Sequence, residues 1–201
     1  MSACKNHRFG TAPSFDAQRL EAVFDQCFGA EFNTVLRGGF EEPFYQPPGP
    51  SAGPAVICFR ADYFASALHE VAHWCIAGSE RRQCSDYGYW YSPEGRTLSQ
   101  QRDFERAEVN PQAIEWCFSL ACGYDFKISP DNFDPMTGES LDSSSFEKAV
   151  LGRAHFLREC GLPVRAKRYF DALVVEFNTS DCSGYPLSLP ALEFIGSEAL
   201  L

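Results

Sequence analysis

A strand-like run followed at once by a helix most restricts how this chain can fold. The stretch AVICFRADYFASALHEVAHWCIAG begins at Ala55, and its first part is compact, mostly apolar and β-prone. The second part has the length of a helix, with Gly78 as a natural stop. We therefore predict an α+β fold, mostly helical, with a small sheet packed beside this helix.

Four other segments have helical spacing or helix-boundary residues. The first, SFDAQRLEAVFDQCFGAEF, has Ser14 as a candidate N-cap. The second, NPQAIEWCFSLACG, has Asn110 as a candidate cap and Pro111 at the first helical position. The last two are FEKAVLGRAHFLRECG, which follows Ser145, and PVRAKRYFDALVVEF. These segments account for the mostly helical prediction.

Two further segments are predicted to form strands and turns. NTVLRGGFEEPFYQP predicts a short strand with a turn at Gly38 and Gly39, and YGYWYSPEGRTLS predicts a strand followed by a turn over 92–95. Two stretches rich in turn residues, 47–54 and 129–145, predict surface loops. They are too short to separate domains, so we predict one domain over 1–201.

Composition narrows the functional classes. Of the 201 residues, 45% are hydrophobic and 22% are charged, as in ordinary globular proteins. The net charge of -10 argues against nonspecific nucleic-acid binding, because it repels phosphate, and it suits a cationic substrate. The nine cysteines include no C-x-x-C pair, which predicts buried, reduced thiols. With no signal region and no membrane span in the sequence, we expect a cytoplasmic protein.

The helix predicted after the strand at Ala55 carries half of a metal site. His69 and His73 are four residues apart, so both imidazoles can face one ion from one side of a helix. Glu70 is rotated about 100° away, where a general base or a partner of a ligand belongs. The alternative is two structural histidines with a chance glutamate. The H-E-x-x-H pattern on a helix favours the metal site.

A third ligand is predicted from the segment FERAEVNPQAIEW. It contains Glu105, Glu108 and Glu115, which would share one stripe of a continuous helix. Pro111 argues against continuity, because it lacks an N–H and crowds the carbonyl group of Ala107. Glu108 is our first choice as the carboxylate ligand and Glu105 the second. Glu115 is predicted either to lie on a solvated face or to form a structural pair.

Two histidines and one carboxylate suit two kinds of chemistry. Zinc would activate water for hydrolysis, with Glu70 as the base. Ferrous iron would bind dioxygen in its open positions and oxidise a C–H bond. Taken alone, H-E-x-x-H favours a zinc metallopeptidase. A third reading is a noncatalytic binding module stabilised by a metal.

Longer motifs separate these readings. LHEVAHW, the following ERR, DYGYWYSPEGR and FERAEVNPQAIEW occur in this order, and together they resemble the bacterial elongation factor P hydroxylase family. The resemblance covers Pro54 through Asp131, and the later helices more weakly. It implies a nonheme metal oxygenase that uses dioxygen and iron. Its substrate would be a lysine of translation elongation factor P to which a β-lysyl group has been attached.

The resemblance also implies roles for single residues. His69 and His73 match the metal-binding histidines of the family, Glu70 matches the glutamate between them, and Glu108 would be the carboxylate ligand. Glu105 matches a family position as well, and we assign it to substrate binding. Most oxygenases with two histidines and one carboxylate use H-x-D and a distant histidine. Because this chain departs from that pattern, 2-oxoglutarate is not assumed as a cosubstrate.

An aromatic stretch is predicted to bind the substrate. Asp86, Tyr87, Tyr89, Trp90 and Tyr91 can enclose a long aliphatic chain and hold ammonium groups by ion pairing and cation–π contacts. The assignment to substrate binding is made for Asp86, Tyr87 and Tyr91. The alternative is a half-buried strand with outward tyrosines. The nearby pair at 81–82 is predicted either to anchor carboxylates or to cap a helix end.

Overall fold

The computed structural model describes residues 15–49, 53–88, 96–130 and 142–179. Its helices are α1 (Ala17–Phe24), α2 (Ala30–Phe32), α3 (Phe64–Ile76), α4 (Leu98–Cys122), α5 (Ser144–Cys160) and α6 (Val164–Phe177). Its strands are β1 (Thr34–Phe40), β2 (Phe44–Gln46) and β3 (Ala55–Arg60). A π-helical turn, Asp25–Gly29, joins α1 to α2, and two short 3-10 segments, Arg81–Gln83 and Ser85–Gly88, follow α3. The α+β prediction is confirmed.

The sheet is small and has β3 at its centre. β1 pairs with β3 in parallel, and β2 pairs with β3 antiparallel on the other side. The predicted Gly-Gly turn is wrong: Gly38 and Gly39 lie within β1, where the register against β3 shifts. The backbone N–H of Gly38 donates to the Glu21 carboxylate at 2.9 Å, and that of Gly39 donates to the Ala61 carbonyl at 2.6 Å. These long-range partners hold the glycines in a bulge.

Gly38 has no room for a side chain. A Cβ atom there would lie 2.6 Å from the Ala61 carbonyl oxygen and 2.6 Å from the Phe59 ring. We expect Gly38→Ala to destabilise the fold by about 1–3 kcal/mol through overpacking. Gly152→Ala is the matched control, because nothing lies within 4 Å of that position on α5 and alanine favours helix. Thermal unfolding should show a lower Tm for the first and an unchanged or higher Tm for the second. A wild-type Tm in Gly38→Ala would contradict the prediction.

Helix α4 corrects the prediction of a break before Pro111. It runs without interruption from Leu98 to Cys122 with Pro111 inside. Thr97, and not Asn110, is the N-cap: the Thr97 hydroxyl accepts from the Gln100 backbone, and the Gln100 side chain accepts from the Thr97 backbone. An internal proline costs about 3 kcal/mol. The capping box and the packing of α4 against α3, α5 and α6 offset that cost.

Other local predictions have mixed outcomes. The first helix is capped by Asp16, whose carboxylate accepts from the Gln18 backbone, and Ser14 lies outside the described residues. The segment 85–88 is a 3-10 turn, so the strand predicted there is wrong, and 89–95 lies outside the described residues. Helix α6 lies where it was predicted, and α5 begins at Ser144, slightly before the predicted start after Ser145, with Ser143 at its N-cap. Among the described helices, none is long and apolar enough to cross a membrane.

The core lies on one face of α3. Trp74 is fully buried there, and its ring centroid lies 4.9–5.2 Å from those of Phe24, Phe28 and Phe32. The guanidinium group of Arg165 lies over the Trp74 ring at 5.0 Å and donates to the Ala77 carbonyl, at the end of α3. These contacts hold α3 from behind and leave His69 and His73 on its other side.

The described cysteines are all free thiols, and the prediction that they are buried holds for five of them and is wrong for two. Two are exposed, Cys84 and Cys160, and five are buried, Cys27, Cys58, Cys75, Cys117 and Cys122. Cys4 and Cys182 lie outside the described residues.

Thiol labelling should separate these two groups. Burial raises the pKa of Cys58 to about 11 and that of Cys117 to about 12, so neither carries much thiolate near neutral pH. We expect iodoacetamide at pH 7.5 to label Cys84 and Cys160 in the native protein. Cys58 and Cys117 should react only after denaturation. Peptide mass spectrometry reads out each site, and native labelling of Cys117 would refute the prediction.

Candidate metal centre

Three side chains converge between α3 and α4. The Nε2 atom of His69 lies 3.3 Å from one carboxylate oxygen of Glu108, and the Nε2 atom of His73 lies 3.3 Å from the other. The two Nε2 atoms are 3.0 Å apart. The structure thus brings together the residues that the sequence predicted as ligands, with their ligand atoms all within 4.8 Å of one another.

These separations fit a metal ion. With metal–ligand bonds of about 2.1 Å, neighbouring ligand atoms are about 3.0 Å apart in an octahedral site and about 3.4 Å apart in a tetrahedral one. The observed 3.0–3.3 Å lie at or between these values. Two imidazole nitrogens with one carboxylate also form a donor set that binds divalent transition metals.

Glu115 supports one of the histidines from behind. Its carboxylate oxygen lies 2.8 Å from Nδ1 of His69. A proton held at Nδ1 by this bond leaves the lone pair of Nε2 directed at Glu108 and His73. Glu115 is seven residues after Glu108, so the unbroken α4 presents both carboxylates to α3. The structural pair that the sequence offered as one outcome for Glu115 is therefore what the structure contains.

Glu105 lies away from this cluster. It is half-buried, its carboxylate accepts a hydrogen bond from the Gln101 amide at 3.2 Å, and it is not among the residues that line the cavity described below. Its predicted part in substrate binding stays a prediction.

Opposite charges stabilise the cluster. Burial lowers the pKa of His69, but the hydrogen bonds and charges of Glu108 and Glu115 outweigh burial and hold that pKa well above its usual value. Burial raises the pKa of Glu108, but His73 and His69 outweigh it and keep this pKa far below its usual value. Glu108 is therefore ionised and available as a ligand. A metal ion that binds here replaces the proton on the imidazole.

The cluster opens into a cavity of about 660 Å³. Glu70, Asp86 and Tyr87 line it, as do the metal-site residues, so two of the predicted substrate-binding residues are adjacent to the cluster. Tyr89, Trp90 and Tyr91 lie outside the described residues. The remaining lining residues come from β2 and its approach, α3, α4 and the segment after α4: Pro43, Phe44, Ala65, Ser66, Phe104, Gln112, Lys127 and Ser129.

Sequence reasoning missed Gln112 and the segment it holds. The Gln112 amide donates to the Ser129 carbonyl at 2.7 Å, and its oxygen accepts from the Ser129 backbone N–H at 3.1 Å. These two hydrogen bonds between the Gln112 side chain and the Ser129 main chain hold the segment that carries Lys127 against the cavity. The available signal was spacing, because Gln112 is one helical turn after Glu108.

A strained turn carries Asp86 and Tyr87. Both have left-handed backbones, with φ of 49° and 56°, which costs about 1–2 kcal/mol per residue for side chains other than glycine. Asp86 accepts a hydrogen bond from the Tyr45 N–H at 2.8 Å. The buried Tyr87 ring stacks on Tyr45 at 4.4 Å and lies parallel to His73 at 6.4 Å between centroids. The turn thus fixes an aromatic wall beside His73.

The two arginines at 81–82 donate hydrogen bonds to main-chain carbonyls at the end of α3 and in this turn. Arg82 donates to the Ala77 carbonyl at 2.7 Å and so caps the end of α3. Arg81 donates to the Tyr87 carbonyl at 3.2 Å. Of the two outcomes predicted from the sequence, the helix-end cap is the one that Arg82 adopts.

Comparison with known proteins identifies the group to which this site belongs. A family model described as elongation factor P hydroxylase matches residues 23–185. A relative from Haemophilus influenzae, named elongation factor P lysine hydroxylase, is 44% identical over 160 residues, which cover 80% of this chain and 88% of that protein. The resemblance found from the motifs is confirmed, and with it the prediction of a hydroxylase enzyme.

Proposed function

Since the chain belongs to the elongation factor P hydroxylase family, we propose that it hydroxylates the lysylated lysine of translation elongation factor P as a nonheme iron oxygenase. The observation that carries the proposal is the convergence of His69, His73 and Glu108 on the wall of a cavity, with their ligand atoms within 4.8 Å of one another. The reaction inserts one oxygen atom of dioxygen into a C–H bond and reduces the other to water. It therefore consumes two electrons and two protons from a reductant.

In this proposal His69, His73 and Glu108 hold Fe(II), which when bound supplies the oxidation of the substrate carbon by dioxygen. Glu115 keeps the proton at Nδ1 of His69, so that Nε2 remains a ligand. The buried Tyr87 ring lies parallel to that of His73, with 6.4 Å between the centroids, and forms a wall beside it. A bound substrate would displace water from this side of the metal centre.

The substrate is proposed to enter along the wall formed by Asp86 and Tyr87. Tyr91, which lies outside the described residues, keeps its predicted part in substrate binding. A lysylated lysine is a long aliphatic chain with cationic amines. Aromatic rings and carboxylates bind such a chain by apolar contact, cation–π attraction and ion pairing. The net charge of -10 favours the approach of a cationic group. We place the enzyme in the cytoplasm, where a translation factor is available, and assign the activity to a single domain over 1–201.

The experiment that tests this function uses protein reconstituted with Fe(II), lysylated elongation factor P, a reductant and ¹⁸O-labelled dioxygen. We expect the mass of the partner to rise by one labelled oxygen atom at the lysylated lysine, as read by peptide mass spectrometry. Protein without iron is the control and should give no product. An unchanged partner mass, with intact iron and a lysylated substrate, would contradict the proposal.

The same preparation loaded with zinc tests the alternative of a zinc metallopeptidase. In that alternative Glu70, which lines the cavity, would be the general base. A metallopeptidase would cleave a peptide and lose that activity in Glu70→Gln while keeping its zinc. A noncatalytic module would lose thermal stability on chelation without turning over any substrate. Neither behaviour is expected.

Glu115 gives a prediction that does not depend on turnover. We expect Glu115→Ala to weaken Fe(II) or Co(II) binding by about 10–100-fold, because His69 loses the partner that orients it. Glu115→Gln, which keeps an acceptor for the Nδ1 proton, should lose less. Anaerobic calorimetric titration measures both, with Asp103→Ala as the control on an exposed part of α4. Wild-type affinity in Glu115→Ala would refute the role.

A further inference from the structure

Two of the four carboxylates in the cavity have no task in the metal centre. Glu108 and Glu115 contact the histidines. Glu70 and Asp86 line the same cavity, and Lys127 is the one lysine or arginine among its described lining residues. Glu70 and Asp86 come from different elements, α3 and the strained turn after it.

Glu70 is buried without a hydrogen bond. Only 8% of its surface is exposed, and within the described parts of the chain no donor lies within hydrogen-bond distance of its carboxylate. Because Glu70 lines the cavity, a cationic ligand there would give its carboxylate the partner that the described residues do not supply. The side chain therefore marks a binding position for a cation.

Asp86 lies at the exposed end of the same cavity. Its Oδ1 atom accepts from the Tyr45 N–H, and that bond holds the carboxylate in place. Its second oxygen has no donor among the described residues. A solvent-facing carboxylate fixed in this way attracts a cation at the cavity mouth, with the Tyr87 ring next to it in the wall.

We propose that Glu70 and Asp86 each bind one ammonium group of the lysyl extension, and that this pair makes the enzyme select lysylated over unmodified lysine. The inference rests on the function proposed above. Attachment of a β-lysyl group turns the amine of the lysine into a neutral amide and adds two primary amines farther out. An unmodified lysine has a single ammonium group and cannot engage both carboxylates.

The test compares binding of lysylated and unmodified elongation factor P to the iron-loaded enzyme under anaerobic conditions. The wild type should prefer the lysylated partner. Glu70→Gln should weaken that binding about a hundredfold and the more exposed Asp86→Asn about tenfold, because each removes a charged hydrogen-bond partner. Binding of the unmodified partner should stay as in the wild type. Asparagine at 86 can still accept from Tyr45, which preserves the turn.

A chemical change to the substrate tests the same inference with the wild-type enzyme, so that the result does not depend on whether a variant folds. A partner whose lysyl amines are acetylated carries no charge there and should bind the wild type no better than the unmodified partner does. Iron content serves as the control for both variants, and Asp103→Asn, on the exposed face of α4, controls for the loss of one negative charge.

The outcomes separate this inference from the proposed function. If the wild type binds the lysylated partner selectively but never hydroxylates it, the proposed function is contradicted and the proposed ammonium-binding site is retained. Normal hydroxylation with unchanged selectivity in both variants would overturn the ammonium-binding site alone. A loss of kcat in Glu70→Gln with unaltered binding would also overturn it, since that pattern belongs to a proton relay.

Discussion

His73→Ala is expected to leave the protein unable to retain iron and unable to hydroxylate its substrate. The substitution removes one of the three side chains whose ligand atoms lie within 4.8 Å of one another, and no described imidazole besides that of His69 lies at the cluster. The loss should exceed the 10–100-fold typical of removing a group that only supports a ligand. Metal analysis after desalting, together with ¹⁸O incorporation into the partner, measures both effects.

Stability supplies an independent measure of the same ligand. A metal at 100 times its Kd adds about 2.7 kcal/mol to the stability of a native protein that binds it. Fe(II) should therefore raise the Tm of the wild type but not of His73→Ala. His155→Ala is the matched control, because His155 is exposed on α5, far in sequence from the cluster. Stoichiometric iron and full activity in His73→Ala would remove this histidine from the site.

Trp74→Ala is expected to produce the largest loss of stability among the single substitutions proposed. The ring is fully buried among Phe24, Phe28 and Phe32, and its removal leaves a cavity on the core face of α3. Truncations of this kind cost about 3–5 kcal/mol. For a chain of this size that corresponds to a Tm about 6–20 °C lower. Urea unfolding monitored by circular dichroism gives the free energy directly.

Two companion variants separate the contribution of packing volume to stability from that of hydrogen bonding. The indole N–H of Trp74 has no acceptor among the described residues, so Trp74→Phe sacrifices no hydrogen bond and should cost far less than alanine. Val175→Ala, on the exposed side of α6, should change stability by no more than about 0.5 kcal/mol. Equal losses in the phenylalanine and alanine variants would show that packing volume is not the cause.

Much of the metal site could be predicted because its spacing is local. The four-residue interval from His69 to His73 places both rings on one face of any helix. Glu108 and Glu115 share a face for the same reason, provided that α4 is continuous. What the spacing could not supply is the pairing of Glu115 with His69, because that contact depends on how α3 packs against α4.

The wrong predictions share a physical cause. Gly38 and Gly39 have the local character of a turn, but donation to Glu21 and Ala61 keeps them in a strand. Pro111 has the local character of a helix start, but capping and packing extend α4 through it. In each case tertiary contacts worth a few kcal/mol overrode a local preference of similar size.

The turn at Asp86 and Tyr87 lay beyond sequence reasoning for a related reason. Neighbouring tyrosines favour a strand, and two consecutive left-handed residues other than glycine are rare. The stacking of Tyr87 on Tyr45 and the bond from the Tyr45 N–H to Asp86 compensate for that backbone. Strain of this kind is commonly found where a chain must present side chains to a ligand.

Helix α3 leaves little freedom to an engineer who wants to change the substrate. None of its thirteen residues is exposed: one side packs into the core, and the other side faces the metal centre and its cavity. Almost any substitution there would alter stability or metal retention before it altered selectivity. Libraries for new specificity should instead vary Pro43, Phe44, Lys127 and Ser129, which reach the same cavity from elements that carry no metal ligand.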